Sequence, residues 1–219
     1  MNGKLLCKAL REELLATALR LPEYGLVWMA GGTACARDPE TGYVITTPSG
    51  LKYDQLTPED MVVVDMELKV IEGHYRPSVA TNLWMEMFKR RDDVNAIIHT
   101  HSPYATAFSV INEPIPIITE TQANWFRRPV QVARYAHVED EHFVTAPADA
   151  LGDGFAVLLG QHGPVVVGKN LDDALERAVT LEEAAKTCSI ARLLGKPIPF
   201  TEAQAERSYD YYTKRYGQK

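Results

Sequence analysis

Cysteine is scarce in this sequence of 219 residues. The three cysteines, Cys7, Cys35 and Cys188, are odd in number, far apart, and in no CxxC pair. An odd number of dispersed cysteines outside any CxxC pair argues against a disulfide framework. The cysteine usage therefore predicts reduced thiols in a cytoplasmic protein.

Long runs of one residue class are also missing. No Lys/Arg cluster stands out and the net charge is −6, which argues against a nucleic-acid partner. No apolar run approaches the roughly 20 residues that cross a membrane. In the N-terminal stretch, residues 1–21, Glu12 and Glu13 interrupt the apolar pattern. This stretch predicts an amphipathic helix rather than a signal peptide or a membrane span.

The remaining composition is that of a globular protein, with 46% hydrophobic and 24% charged residues. No repeat or linker divides the chain, so we expect a single domain over residues 1–219. Strand-like and helix-like segments are interspersed, which predicts an α/β or α+β fold around one central sheet. The predicted helices cover about 3–21, 78–90, 104–110, 171–194 and 202–215, and the predicted strands about 43–47, 61–66, 70–71, 94–100, 155–159 and 165–167.

Turn sequences separate several of these segments. Residues 31–33 (GGT) predict a glycine-rich turn, and residues 48–50 (PSG) predict another. Residues 161–164 (QHGP) predict the turn between the last two strands. The backbone geometry of the QHGP turn can aim the side chain of His162 into a cleft.

Two histidines, His99 and His101, alternate at the end of the strongest predicted strand. Residues two apart in a strand face the same side, so these imidazoles can share one metal ion. They could instead be polar residues that close the strand. His162 lies at the QHGP turn and is the natural third ligand, although a lone histidine there could be a hydrogen-bonded turn residue. Three neutral imidazoles leave an open coordination position, which a catalytic metal site needs.

The other histidines, His74, His137 and His142, lie in polar, loop-like sequence. We interpret them as solvated loop residues rather than ligands.

With these motifs the chain resembles the class II aldolase/adducin-type superfamily, which includes L-fuculose-phosphate aldolase and L-ribulose-5-phosphate 4-epimerase. The resemblance covers nearly the whole sequence. It rests on the early glycine-rich turn, residues 47–50 (TPSG), 77–78 (PS), 93–102 (DVNAIIHTHS) and 161–163 (QHG), the alanine-rich helix that follows, and residues 216–218 (YGQ).

The resemblance implies a fold, an assembly and a metal. The fold is a three-layer α/β/α sandwich with a mainly antiparallel sheet, and the assembly is a homotetramer with active sites between subunits. The metal is a divalent ion held by His99, His101 and His162, with Zn²⁺ expected and Mn²⁺, Co²⁺ or Fe²⁺ as alternatives. The C-terminal Tyr216 would reach into a neighbour's site as a proton donor.

The activity implied by the resemblance is that of a metal-dependent carbon–carbon lyase in carbohydrate metabolism. Its substrate would be a small molecule: a ketose, a ketose phosphate or a related hydroxyketone, cleaved through a metal-stabilised enediolate. Three alternatives stay open. They are a sugar-phosphate epimerase, a metal-dependent decarboxylase or oxygenase on the same scaffold, and a non-catalytic, adducin-like assembly domain.

The sequence departs from the family pattern where protons are moved. The family's usual acidic residue after the Pro-Ser pair falls on Ala80, and the epimerase's acidic residue falls on Asn124. The aldolase's tyrosine position falls on Glu120, which becomes the candidate replacement base. Glu120 could equally be an exposed loop carboxylate.

The expected phosphate site is also altered. Residues 32–35 read GTAC where the family has Gly-Asn-x-Ser, and Val79 replaces the second serine of a Ser-Ser pair. The remaining candidates for binding a phosphate, a carboxylate or a neutral group are Thr33, Ser49, Gly50 and Ser78.

Overall fold

The computed structural model describes residues 5–218. Within that range it contains eight strands and seven α-helices. The strands are β1 (Gly32–Arg37), β2 (Val44–Thr46), β3 (Val62–Val64), β4 (Val70–Glu72), β5 (Ala96–Thr100), β6 (Gln131–Ala133), β7 (Ala156–Leu159) and β8 (Gly163–Gly168). The helices are α1 (Lys8–Glu23), α2 (Thr81–Arg90), α3 (Pro103–Val110), α4 (Glu120–Trp125), α5 (His142–Leu151), α6 (Leu171–Leu194) and α7 (Glu202–Arg215).

All eight strands join one sheet in the order β4-β3-β2-β1-β5-β8-β7-β6. Every neighbouring pair is antiparallel except β6 and β7, which run parallel. The predicted mainly antiparallel sheet is therefore confirmed. Strands β5 and β8 lie near its centre and are flanked by other strands on both sides.

Helices cover both faces of the sheet, as the alternation of side chains in β5 shows. Ile98 packs into a core with Leu14 of α1 and Leu181 of α6. Its neighbour Ile97 points to the opposite face and packs into a second core with Trp84 of α2. The result is the predicted α/β/α sandwich. No helix in residues 5–218 combines the length with the apolarity needed to cross a membrane.

The sequence prediction was wrong at the glycine-rich turn, because Gly32 and Thr33 open strand β1. The next residues, Ala34, Cys35 and Ala36, are small and fully buried between β2 and β5. Small side chains show little alternation between polar and apolar residues, so the sequence pattern predicts a turn here instead of a central strand. A Cβ at Gly32 would lie 2.9 Å from the carbonyl oxygen of His99, so glycine allows the close pairing with β5.

The helix boundaries also differ from the prediction. Helix α1 begins at Lys8, because Cys7 has a left-handed backbone with φ of 50° that helices exclude. Residues 1–4, which belong to the predicted helix, lie outside the described residues. Helices α4 and α5 and strand β6 have no counterpart among the predicted elements. Helix α4 has only six residues, and α5 contains Pro147.

A buried carboxylate fixes the segment that follows His101. Glu182 of α6 accepts hydrogen bonds from the backbone N–H groups of Tyr104 and Ala105, both at 2.9 Å. These are unpaired donors of the first turn of α3, where a negative charge is favourable. Helix α3 is thereby held against α6, and the end of β5 is held with it.

Candidate metal centre

His99 is oriented by the strand beside it. The ring is buried, and its Nδ1 lies 2.9 Å from the carbonyl oxygen of Pro164 in β8. A carbonyl only accepts, so Nδ1 carries the proton and Nε2 presents its lone pair. Nε2 of His99 lies 3.1 Å from Nε2 of His101. Two nitrogen ligands of a tetrahedral zinc ion are separated by about 3.3 Å, so this spacing suits a shared ion.

His162 completes the group from the turn between β7 and β8. Gln161, directly before it, has a left-handed backbone with φ of 55°, which turns the chain sharply into β8. The His162 ring centroid lies 4.7 Å from that of His99 and 4.9 Å from that of His101. One ligand atom from each ring falls within 4.8 Å of the others. We call these residues the three-histidine site, and they could hold a metal ion.

The protonation of the three rings fits that role. Burial, followed by the proximity of His162 and His101, lowers the pKa of His99 to about 3. Partial desolvation also lowers the pKa values of His101 and His162. All three imidazoles are therefore neutral near pH 7. Neutral nitrogens are what a divalent ion binds, because a proton competes for the same lone pair.

The lowered pKa of His99 predicts a pH-dependent stability for the metal-free protein. Between pH 6.5 and pH 3 the unfolded chain binds a proton that folded His99 refuses, so stability falls as the pH falls. From pH 6.5 to pH 5 this costs about 2 kcal/mol. Urea unfolding of chelator-treated protein measures the loss. The H99Q variant should lose less over the same interval, and an equal loss in both proteins would contradict the assignment.

The three-histidine site opens into a cavity of about 540 Å³. Thr33, Ser49, Gly50 and Ser78, the predicted anion-binding residues, all line this cavity. The hydroxyls of Thr33 and Ser78 are hydrogen-bonded at 2.9 Å. Ser78 lies three residues before α2, near the positive end of the helix dipole, which favours an anion. The structure thus brings the predicted metal and substrate groups together.

Ala80 lies in the same cavity. It precedes α2 and is nearly buried, with 7% of its surface exposed. Among the described residues, no Asp or Glu lines the cavity. The methyl group of Ala80 therefore occupies the wall of a pocket that contains no carboxylate from residues 5–218.

Comparison with known proteins agrees with this geometry. A family model, the class II aldolase and adducin N-terminal domain, matches residues 12–189. The chain belongs to this family. An L-fuculose 1-phosphate aldolase structure superposes with a TM-score of 0.90 at 29% identity, covering 94% of this chain and 96% of that one. The family consists largely of enzymes, and its members generally bind a divalent metal.

Two further similar structures carry names with different activities. YgbL from Escherichia coli, named as a candidate aldolase, epimerase or decarboxylase, has a TM-score of 0.82 at 25% identity, covering 92% of this chain and 98% of that one. The L-fuculose 1-phosphate aldolase from Glaciozyma antarctica PI12 has a TM-score of 0.78 at 27% identity, covering 96% and 86%. Similarity at this level does not assign one reaction.

Two predicted catalytic residues of this class II aldolase family member do not line the cavity of their own chain. Glu120 is exposed at the start of α4, which packs against α6 and α7. Tyr216 follows α7 and stacks on Tyr212 at 5.0 Å, close to Trp125. The catalytic roles of Glu120 and Tyr216 stay predictions.

The structure adds wall residues that the sequence did not reveal. Tyr135, His137, Val138 and Phe143, from the segment between β6 and the first turn of α5, line the cavity. The backbone N–H of Gly160 donates to the carbonyl of Ala133, which joins this segment to the turn carrying His162. Only the parallel pairing of β6 with β7 produces that approach, and no local pattern signals it.

Proposed function

We propose that this protein is a metal-dependent aldolase that cleaves a ketose, a ketose phosphate or a related hydroxyketone. The observation that carries the proposal is the three-histidine site, whose neutral nitrogens converge at the base of a substrate-sized cavity. The overall similarity to L-fuculose 1-phosphate aldolase supports the same proposal. The hydroxyls of Thr33, Ser49 and Ser78, which line the same cavity, suit the polar end of such a substrate.

Each group would have a distinct task. His99, His101 and His162 would hold the ion, which when bound supplies Lewis-acid stabilisation of the negative charge formed in carbon–carbon cleavage. Thr33 and Ser78, with the backbone at Gly50, would bind the phosphate, carboxylate or hydroxyl end of the substrate. Cleavage also needs a group that takes a hydroxyl proton and one that returns a proton to carbon.

Glu120 and Tyr216 are proposed to serve the site of a neighbouring subunit in a homotetramer. Neither residue lines the cavity of its own chain, which supports that arrangement. Zinc as the native ion, a role in carbohydrate metabolism and a cytoplasmic location are parts of the same proposal, as is the single domain over residues 1–219. The three unpaired cysteines support a reducing compartment.

A second reaction is supported by the missing acid at Ala80. Three histidines without a carboxylate leave the ion open to a bidentate substrate, which also suits a decarboxylase or, with iron, an oxygenase. The epimerase alternative has less support. Asn124, at its expected acidic position, cannot titrate and lines a different cavity beside Trp125.

Metal analysis and a substrate panel test the proposal. We expect one divalent ion per chain and aldehyde release from at least one ketose or ketose phosphate, lost after chelation and restored by Zn²⁺. Carbon dioxide release from a keto acid, or oxygen uptake by an iron-loaded protein, would replace the aldolase with the second reaction. Protein that retains no ion and has no affinity for Zn²⁺, Mn²⁺ or Fe²⁺ would favour an assembly domain.

A further inference from the structure

His101 is the member of the three-histidine site whose ring has the fewest contacts to fix it. Nδ1 of His99 lies 2.9 Å from the carbonyl oxygen of Pro164, whereas the ring of His101 has a hydrogen-bonding contact, within residues 5–218, with His99 alone. His101 is also the exposed member of the site. Strand β5 ends at Thr100, so strand pairing does not hold His101 either. The position of this ligand therefore depends on the chain that follows it.

The chain that follows His101 is helix α3, with only Ser102 between them. So short a connection makes the placement of the helix decide the placement of the ligand. The other end of α3 reaches the turn that carries the third ligand. There the carbonyl oxygen of Ser109 accepts a hydrogen bond of 3.1 Å from the backbone N–H of Gln161, the residue directly before His162. Helix α3 therefore links the backbones of two of the three ligands.

A buried carboxylate holds this helix in place. The two carboxylate oxygens of Glu182 accept hydrogen bonds from the backbone N–H groups of Tyr104 and Ala105, both at 2.9 Å. Glu182 is 7% exposed and forms no ion pair with any residue between 5 and 218. Burying a carboxylate without a cation is unfavourable unless hydrogen bonds compensate. Hydrogen bonds to a charged acceptor are roughly twice as strong as neutral ones, so Glu182 holds α3 more firmly than a neutral side chain would.

We propose that Glu182 is a positioning residue for the metal, holding α3 so that His101 and His162 converge with His99. The inference rests on the proposed function, in which these histidines bind a divalent ion. Glu182 does not line the cavity, so its effect passes through α3. Replacing a group that orients metal ligands from behind typically lowers metal affinity by about 10- to 100-fold. The structure assigns such a role to Glu182 from the opposite side of α3.

Replacing Glu182 by glutamine tests the proposal with little change in size. An amide keeps one acceptor oxygen, and its NH₂ group only donates, so one N–H of the first turn of α3 loses its partner. We expect E182Q to bind Zn²⁺ about 10- to 100-fold less tightly than the parent protein, measured by competition with a chromophoric chelator. With Co²⁺ in place of Zn²⁺, the visible absorption of E182Q should differ from that of the parent protein, because this absorption depends on the arrangement of the ligands.

Two control variants separate the position of α3 from charge and from stability. E183Q removes the neighbouring carboxylate, which is exposed and paired with Lys186. N170A removes the cap of the same helix, where Oδ1 of Asn170 accepts from the backbone N–H of Asp173 at 2.9 Å. This cap lies about 18 Å along α6 from Glu182. We expect both variants to keep the Zn²⁺ affinity and the Co²⁺ absorption of the parent protein, although N170A should unfold at a lower urea concentration.

The outcomes distinguish this inference from the proposed function. A folded E182Q with the Zn²⁺ affinity and Co²⁺ absorption of the parent protein would overturn the role of Glu182 and leave the aldolase proposal intact. An equal loss of affinity in N170A or E183Q would also count against it, because stability or charge would then explain the effect. A parent protein with no affinity for Zn²⁺, Mn²⁺ or Fe²⁺ would remove the proposed metal-dependent function, and this inference with it.

A shorter carboxylate keeps the test usable if E182Q does not fold. E182D retains the charge on a side chain that is one methylene shorter, so α3 must shift towards α6 to keep both hydrogen bonds. We expect E182D to bind Zn²⁺ about 10-fold less tightly than the parent protein. Unchanged affinity in this variant would contradict the proposal as directly as unchanged affinity in E182Q.

Discussion

Replacing His101 by alanine is expected to remove the bound ion and to lower turnover by about 1,000-fold or more. The loss follows because two histidines remain of three, and a bound ion supplies several kcal/mol of charge stabilisation, at about 1.4 kcal/mol per tenfold in rate. His101 is a better choice than His99 for this test. Its ring stands at the cavity after β5 ends, whereas His99 is buried between strands and its loss would also disturb packing.

Metal content by mass spectrometry and aldehyde release by a coupled assay measure the two effects in H101A. His74→Ala is the control, because His74 is exposed, contacts Asp60 and does not line the cavity. We expect the control to keep its metal and its rate. An H101A protein with full metal content and full turnover would show that the three-histidine site is not where catalysis occurs.

The metal site could be predicted from the sequence because its main signal is local. His99 and His101 are two residues apart in a strand, and strand geometry alone places both rings on one face. The QHGP turn made His162 the natural third ligand, and the pairing of β5 with β8 brings that turn to the end of β5. The anion-binding residues came from the family resemblance, since Ser49, Gly50 and Ser78 belong to motifs that it covers.

The part of the cavity wall formed by residues 135–143 could not be predicted. The polar sequence around His137 predicts a solvated loop residue, and its side chain is indeed largely exposed. The parallel pairing of β6 with β7 nevertheless brings its loop to the same cavity as the three-histidine site. A three-residue strand and a helix containing Pro147 give no usable periodicity. Strand β1 was missed for a related reason, because its core residues are too small to show alternation.

Replacing Gly163 by alanine is expected to destabilise the protein by about 3 kcal/mol and to weaken metal binding strongly. A Cβ at this position would collide with the backbone carbonyl oxygen of Thr100 and lie 3.3 Å from Cδ2 of His101. A backbone atom cannot rotate away, so β5 and β8 must separate, and overpacking of this kind typically costs 1–3 kcal/mol or more. Gly163 directly follows His162, so a separation of β5 from β8 would also move His162 away from His99 and His101.

Gly195→Ala is the matched control for this prediction. A Cβ at Gly195 meets no atom within 4 Å, and its extended φ of 168° is open to any residue. We expect urea unfolding of G195A to stay within about 0.5 kcal/mol of the parent protein, while G163A shifts by several times that amount. Excess zinc should recover less stability in G163A than in G195A, because binding stabilises a fold only in proportion to its affinity. If G163A matched G195A in stability and metal affinity, the close approach of β5 and β8 would not be what holds His101 and His162 together.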